Sequence, residues 1–400
     1  MLKRMMKKLR KSYKTELKPT DEQKQAIDKT LGVCRYVYNF YIAHNKELYH
    51  EGKPFLSGRA FSVWLNNAFI PDNPEYTWIK EVSSKAVKQS IMNADTAFRR
   101  FFKRQSGFPR FKKKGVNEPK MYFVKTDKKA VIRCERHRIK IPTIGWVRLK
   151  EKGYIPTDPD KYVIRSGTIS KRAGRYYVSV FVETEEVEAM PVLTKEFLGI
   201  DLGLKDFATL SNGDVFRNIN KSSDIKKLEK KLKREQKALS RKLEVKKRNQ
   251  KNQEGGSYSN IEKQKLKVQK LHQRLNHIRT DYLNKCVSDI AKTKPSYITI
   301  ENLNVKGMMK NRHLSKAVAN QKFYEFRMKL SAKCKANGIE LRIVDTWYPS
   351  SKTCHRCGNL KTDLKLSDRI FRCPHCEAVI DRDLNAALNL RDAKVYEVAP

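Results

Sequence analysis

No stretch of the 400 residues approaches the ~18 consecutive apolar residues that a membrane-spanning helix needs, and no amphipathic anchor dominates. The opening fourteen residues, MLKRMMKKLRKSYK, carry seven basic side chains but lack the apolar core of a secretion signal, so a cytoplasmic protein is expected. A solvated basic arm or strand and a nucleic-acid contact both fit that segment. There is no internal repeat, which sets repeat architectures aside. Acids are scarce: 43 Asp and Glu stand against 86 Lys and Arg, a net charge of +43. Such a surplus repels itself unless a polyanion neutralises it, and the dense phosphates of nucleic acid are the usual one. The chain is not a disordered basic tail, because 39% hydrophobic and 10% aromatic residues suffice for real cores. Its length suggests about two or three domains.

Residues 13–18 read as a short strand. Thr20, with Gln23 three positions on, forms a capping-box pattern that opens a helix over about 20–49. A second helix is expected over about 83–104, with Val87, Ile91, Ala94, Phe98 and Phe101 as its core stripe. Its other face offers Lys85, Lys88 and Gln89, either a wet face or a nucleic-acid contact. The loop SGFPRFKKKG interleaves aromatics with Arg110, Lys112, Lys113 and Lys114, a pattern suited to nucleic acid.

From about 119 to 185 the apolar residues alternate with polar ones, and the stretch ending RAG, at Arg172 to Gly174, marks a hairpin turn. Several short strands of this kind suggest a small barrel or curled sheet. Residues 186–195 read as a linker. Beyond it come an apolar strand ending at Asp201 and an Asn212-Gly213 pair that signals a two-residue hairpin turn. Two long helices follow. The first carries Ile225, Leu228, Leu232, Leu239 and Leu243, and the second Leu266, Leu271, Leu275, Ile278, Tyr282 and Val287. The loop NQEGGSYSN joins them into an antiparallel pair. Residues 221–251 hold fourteen basic side chains and four acids, a one-sided excess suited to phosphate. A strand SYITIENL, a helix over about 316–337, a strand IELRIVDTWY and a closing helix in DRDLNAALNLRDA complete the pattern.

Cysteine usage divides into two groups. Cys34, Cys134, Cys286 and Cys334 are scattered and suit small core side chains. Cys354, Cys357, Cys373 and Cys376 form C-x2-C-x15-C-x2-C. Two such turns aim four thiolates at one point, as structural zinc requires, and Gly358 eases the first turn. Three carboxylates carry the other signal. Asp201 and Glu301 end apolar strands, and Asp383 opens a helix, where either it or Asp381 would serve as N-cap. Gathered acids repel one another and raise each other's pKa. A pair of Mg²⁺ ions removes that repulsion and can activate a water against a phosphodiester.

At these residues the chain resembles the TnpB family of transposon-encoded RNA-guided nucleases, relatives of the type V CRISPR effectors. The motifs that carry the resemblance are GIDLGLKDFATLSNG, ITIENLNV, SKTCHRCG, FRCPHC and DRDLNAALNL, with LGVCRYVYNF and FPRFKKKG nearer the start. The resemblance implies an α+β multidomain protein. A wedge-type β-barrel would use residues 1–18 and 119–185, with a helical recognition lobe over 19–118. An RNase H-like RuvC nuclease domain with its helical hairpin would use 196–349 and 379–400, with a four-cysteine zinc ribbon inserted at 350–378. Asp201, Glu301 and Asp383 would be its metal-binding triad for two Mg²⁺ ions, Asp381 being the fallback for the third. A guide RNA from the transposon end would direct cutting of double-stranded DNA beside a short flanking motif, one site cutting both strands. The helix with Lys85, Lys88 and Gln89 would be a candidate reader of that motif. Two positions depart from the family pattern: Glu377, where glycine is frequent, and Ile380, where a polar or aromatic residue is common. The alternatives are an RNA-guided repressor, which would lack one of the acids, and a transposase or junction resolvase acting without a guide. No membrane partner is implied, and the oligomeric state is left open.

Overall fold

The computed structural model describes residues 9–125, 132–184, 192–251, 258–365 and 367–399. The first eight residues of the fourteen-residue basic segment, most of the expected linker and residues 252–257 of the loop between the long helices lie outside them. The chain divides into two compact units, residues 1–188 and 189–400.

The first unit combines a sheet with a set of helices. Strand β1 (Leu9–Lys18) leads into helix α1 (Asp21–His50). The Thr20 hydroxyl accepts from the Gln23 backbone while the Gln23 side chain accepts from Thr20, so the expected capping box is present. Helices α2 (Gly58–Trp64) and α3 (Ile70–Asp72) flank a π-helical turn, Leu65–Phe69, and a 3-10 stretch, Pro74–Glu81, precedes α4 (Ser84–Phe102). These short elements were not legible in the sequence. They exist because Phe61, Leu65, Ile70 and Ile79 bury themselves against Val37, Tyr41 and Ile91 of the two long helices. Short helices draw their stability from such packing rather than from propensity. Buried Asp95 fixes this cluster by accepting from the Tyr41 hydroxyl, the Gly58 amide and Arg99.

The alternating segment folds as β2 (Lys120–Val124), β3 (Cys134–Glu135), β4 (Arg138–Ile141), β5 (Gly145–Leu149), β6 (Tyr162–Arg172) and β7 (Arg175–Thr184). With β1 they form one seven-stranded antiparallel sheet in the order β2-β6-β7-β1-β5-β4-β3. The β6–β7 hairpin turns at Ala173 and Gly174, both at positive φ, inside the expected turn. Ile27, Leu31 and Cys34 of α1 pack with the sheet's inner face.

The second unit is built on a six-stranded mixed sheet. Its strands are β8 (Phe197–Leu202), β9 (Asp206–Leu210), β10 (Val215–Arg217), β11 (Tyr297–Glu301), β12 (Glu340–Val344) and β15 (Glu397–Val398), in the order β10-β9-β8-β11-β12-β15. Strands β8, β11 and β12 are parallel, and the other pairings are antiparallel. The β9–β10 turn closes over three residues, Ser211 to Gly213, rather than two: Leu210 N donates to Asp214 O at 2.9 Å, and Gly213 adopts φ +92°. A serine before Asn-Gly thus lengthens the loop by one residue, with glycine at the left-handed position.

Helices α5 (Ser223–Lys251) and α6 (Ser259–Lys292) form the expected antiparallel pair, held by Ile225, Leu232, Leu271 and Leu275. The stripe is shorter than expected. Leu243 is exposed, and buried Val268 rather than Leu266 belongs to this core. After α7 (Val305–Met308), the helix expected over 316–337 is two, α8 (Ser315–Gln321) and α9 (Phe323–Asn337), broken where Lys322 turns left-handed at φ +58°. Lys322 bridges Thr280 and Glu325, so contacts outside its own helix accompany the break. Strands β13 (Ile370–Arg372) and β14 (Val379–Asp381) pair as a small hairpin, and α10 (Arg382–Arg391) closes the fold.

Candidate active site and metal centre

Strand pairing alone puts two of the acids side by side. β8 and β11 are parallel with Ile200 opposite Ile300, so the next residues, Asp201 and Glu301, are neighbours at the strands' carboxyl ends. Alternation sends Leu198, Ile200, Ile298 and Ile300 into the core beneath, and the two acids to the opposite face. Helix α10 covers that face. A Cβ placed on Gly199 would lie 2.0 Å from Ala387 O, so the helix rests directly on the β8 backbone. Asp383 sits in the first turn of that helix.

The electrostatics record the convergence. Burial, then Glu301, then Asp383 push the Asp201 carboxyl well above the usual carboxylate range, against a smaller pull from Arg382. Burial also raises Glu301, partly offset by the Ser350 hydroxyl that donates to its Oε1. Arg382 donates to Asp383 Oδ1 through Nε at 3.1 Å and Nη2 at 2.9 Å. Asp381 is the helix cap, since its Oδ1 accepts from the amides of Asp383 and Leu384 at 2.9 and 3.1 Å.

The four cysteines meet. Cys354 Sγ is 3.7 Å from Cys376 Sγ, and Cys357 Sγ is 3.5 Å from Cys373 Sγ. Thiolates about 2.3 Å from a tetrahedral zinc would stand about 3.8 Å apart, so the donor set and spacing fit that ion. The amides of Cys376 and His375 donate to Cys373 Sγ and draw its thiol down to about 6. Among the described residues these sulfurs are the one such set lying within 4.8 Å of one another, so the three carboxylates are more loosely spaced. Glu377 adopts φ +56°, the left-handed conformation that explains why glycine suits this position. Ile380 packs beside Phe371 in the hairpin's small core.

A hydrogen-bond relay, not legible in the sequence, joins the two centres. Asn389 donates to Ser350 O at 2.7 Å and Thr353 O at 2.6 Å. Asn385 donates to Thr353 O at 2.7 Å and accepts from His355 N at 3.0 Å. Both asparagines are buried on α10, the helix of Asp383, while Ser350 holds Glu301. The loop leading into Cys354 is thereby tied to two of the three acids. The D-x-N-A-A-x-N spacing at 383–389 is the signal that could have found this relay, since Asn385 and Asn389 are one helical turn apart.

Of the expected nucleic-acid contacts, Lys85 and Lys88 are exposed on α4, and Gln89 bonds Asn93 at 3.0 Å. Arg110, Lys113 and Lys114 are exposed in the following loop. Lys112 departs from the expected role. Its ammonium lies 3.5 Å from the centre of the Tyr38 ring, and burial lowers its pKa. Its backbone is clamped by Asn39, so it anchors the loop to α1 instead of facing solvent. Cys34, Cys286 and Cys334 are buried core residues as expected, while Cys134 is only half-buried. Among the described residues no helix is long and apolar enough to cross a membrane.

Three family profiles match the chain. Residues 5–54 match a helix-turn-helix domain, 179–312 a probable transposase, and 323–390 a Cas12f1-like TNB domain. In the first, the described residues form a strand and one long helix rather than two helices about a turn. InsQ of Escherichia coli (strain K12), named as an RNA-guided DNA endonuclease, is 30% identical over 96% of this chain and 92% of its own. A Streptomyces pristinaespiralis protein of the same designation is 30% identical over 96% of this chain and 90% of its own. The protein in a cryo-EM structure of a Cas12f1–sgRNA–target DNA complex aligns over 98% of this chain and all of its own, with a TM-score of 0.55 at 16% identity, which shows a shared fold. Near-complete coverage at this identity, with a transposase profile across the β8–β11 strands, establishes that the chain belongs to the TnpB family of IS605-type transposon proteins.

Proposed function

We propose that this protein is an RNA-guided endonuclease that cuts double-stranded DNA beside a short flanking motif, directed by an RNA from the transposon end. The relatives' names and the shared Cas12f1 fold support the activity class. The observation that carries the site is the raised Asp201 carboxyl: in a chain of net charge +43, burial and the neighbouring Glu301 and Asp383 carboxylates oppose its ionisation. Such a cluster is tolerated where divalent cations neutralise it.

Asp201, Glu301 and Asp383 would hold two Mg²⁺ ions, an all-carboxylate donor set suited to a hard cation. When bound, such a pair supplies an activated water and stabilises the leaving oxygen of a phosphodiester. The chain's own residues orient that chemistry. Ser350 fixes the Glu301 carboxylate, and Arg382 holds Asp383. Gly199 lets α10 approach the strand that bears Asp201. The mixed sheet order, with a meander followed by parallel strands, supports an RNase H-like RuvC domain. The four cysteines would hold one structural Zn²⁺. In the first unit, the antiparallel sheet would serve as the wedge barrel and the helices as the recognition lobe. Exposed Lys85, Lys88, Arg110, Lys113 and Lys114 would meet phosphates or the flanking motif, which sequence-independent gripping of an RNA–DNA duplex requires.

The test is purification of the protein with its bound RNA, sequencing of that RNA, and incubation with matched duplex DNA and Mg²⁺. One dominant RNA species and Mg²⁺-dependent cutting abolished by Asp201→Ala are expected. Cutting that survives this substitution refutes the site, and a random RNA mixture refutes guiding.

A further inference from the structure

Beside Glu301 lies a cavity of about 290 Å³ whose walls include neither Asp201 nor Asp383. Its walls include Glu301, Leu303, Asn304, Met308, Thr346 and Trp347. Leu303 and Met308 rest on the hydrophobic core, giving the cavity an apolar floor. Trp347 is 87% exposed, whereas the chain's other three tryptophans are half-buried. Its indole is therefore available as a stacking face at the rim of the cavity.

The exposure is not looseness of the segment. Trp347 N donates to Asp345 Oδ1 at 2.8 Å, and Tyr348 N donates to Asp345 O at 3.1 Å. Thr346 Oγ1 donates to Asn302 O at 2.9 Å, tying the turn to the residue after Glu301. Tyr348 Oη donates to Asn389 O at 3.1 Å on α10. A pinned turn therefore presents a flat π-face to solvent at the edge of the carboxylate site. Three exposed cations, Lys306, Lys310 and Arg312, lie along the stretch that follows Glu301 and suit the phosphates of an approaching strand.

We propose that this cavity takes one unpaired nucleobase of the strand being cut, stacked on Trp347, and so sets which phosphate reaches Glu301. Stacking is tolerant of base identity because every base has a π-face, so the device suits a nuclease whose sequence choice lies elsewhere. The proposal rests on the nuclease reading and assigns Trp347 as a substrate-binding residue of that site.

The experiment uses the RNA-loaded protein. In an Asp201→Asn background, which leaves the substrate whole, matched DNA carries 2-aminopurine at successive positions flanking the cut. Quenching at one position is expected, lost in Trp347→Ala and Trp347→Leu and retained in Trp347→Phe. In the cutting-competent protein, Trp347→Ala and Trp347→Leu lower kcat/KM about tenfold, as loss of one stacked base implies, and Trp347→Phe restores most of it. Melting temperatures stay unchanged, since the side chain is exposed. Cutting by Trp347→Ala at the wild-type rate, or quenching that persists in it, overturns the base pocket and leaves the nuclease reading standing. A wild-type protein that fails to cut overturns the nuclease reading and the pocket with it.

Discussion

Replacing Gly199 by alanine drives α10, and with it Asp383, away from the strand that bears Asp201. The added Cβ would lie 2.0 Å from Ala387 O and 2.4 Å from Arg391 N, positions i and i+4 of one helical turn. Ordinary contact begins at 3.4 Å, so the helix must retreat by about 1.4 Å. Both obstructing atoms are backbone, and no rotamer change relieves them. Overpacking of this kind costs about 1–3 kcal/mol. At about 2–4 °C per kcal/mol for a unit of this size, a mid-range cost lowers Tm by about 4–8 °C. The catalytic loss is larger in proportion, because a displacement of about 1 Å in a reacting geometry costs about 100-fold in rate. Thermal unfolding and single-turnover cleavage by the RNA-loaded protein measure the two effects. Adding Ala387→Gly does not rescue either, since it removes only a side chain. A Gly199→Ala protein with wild-type Tm and cleavage within about threefold of wild type would refute the claim that this contact sets the distance between the acids.

Four further outcomes are expected. Asp201→Asn lowers cutting by at least about 10³-fold, as loss of several kcal/mol of metal-borne stabilisation implies. Yet it stabilises the metal-free protein at pH 7. A carboxyl whose folded pKa is raised binds its proton more tightly when folded, so its contribution to stability is present at low pH and lost as pH climbs from the ordinary carboxylate value through the raised one. Melting in chelator across pH 4–8 checks the sign, and an Asn variant less stable than wild type at pH 7 contradicts it. Ser350→Ala lowers cleavage about 10–100-fold, the usual cost of losing a partner that orients a metal ligand. Cys357→Ser or stripping of the four-thiolate site lowers both Tm and cutting through Asn385 and Asn389, and cutting that survives full metal loss dismisses that linkage. In the first unit, Asp95→Ala strands the buried Gly58 amide, the Tyr41 hydroxyl keeping Leu56 O as acceptor, and destabilises by about 1–3 kcal/mol, with Asp95→Asn costing less, as denaturant unfolding reads out.

Local pattern made much of this protein legible in advance. The capping box at Thr20, the alternation that became the seven-stranded sheet and the stripes of α5 and α6 each depend on residues a few positions apart. The paired cysteines were readable for the same reason, since each C-x2-C turn aims its own two thiolates whatever the rest of the chain does. The acids were visible singly, as polar residues where apolar strands end. Their meeting was not visible, because it depends on Ile200 pairing with Ile300 across a hundred residues and on α10 lying against Gly199. Tertiary contact also accompanied the left-handed break at Lys322, held the short helices between Gly58 and Glu81 in their aromatic cluster, and set Lys112 against Tyr38. Periodicity and spacing act over a turn or a strand. Which carboxylates meet, and which indole lines a cavity with Glu301, is decided only when distant segments are packed face to face.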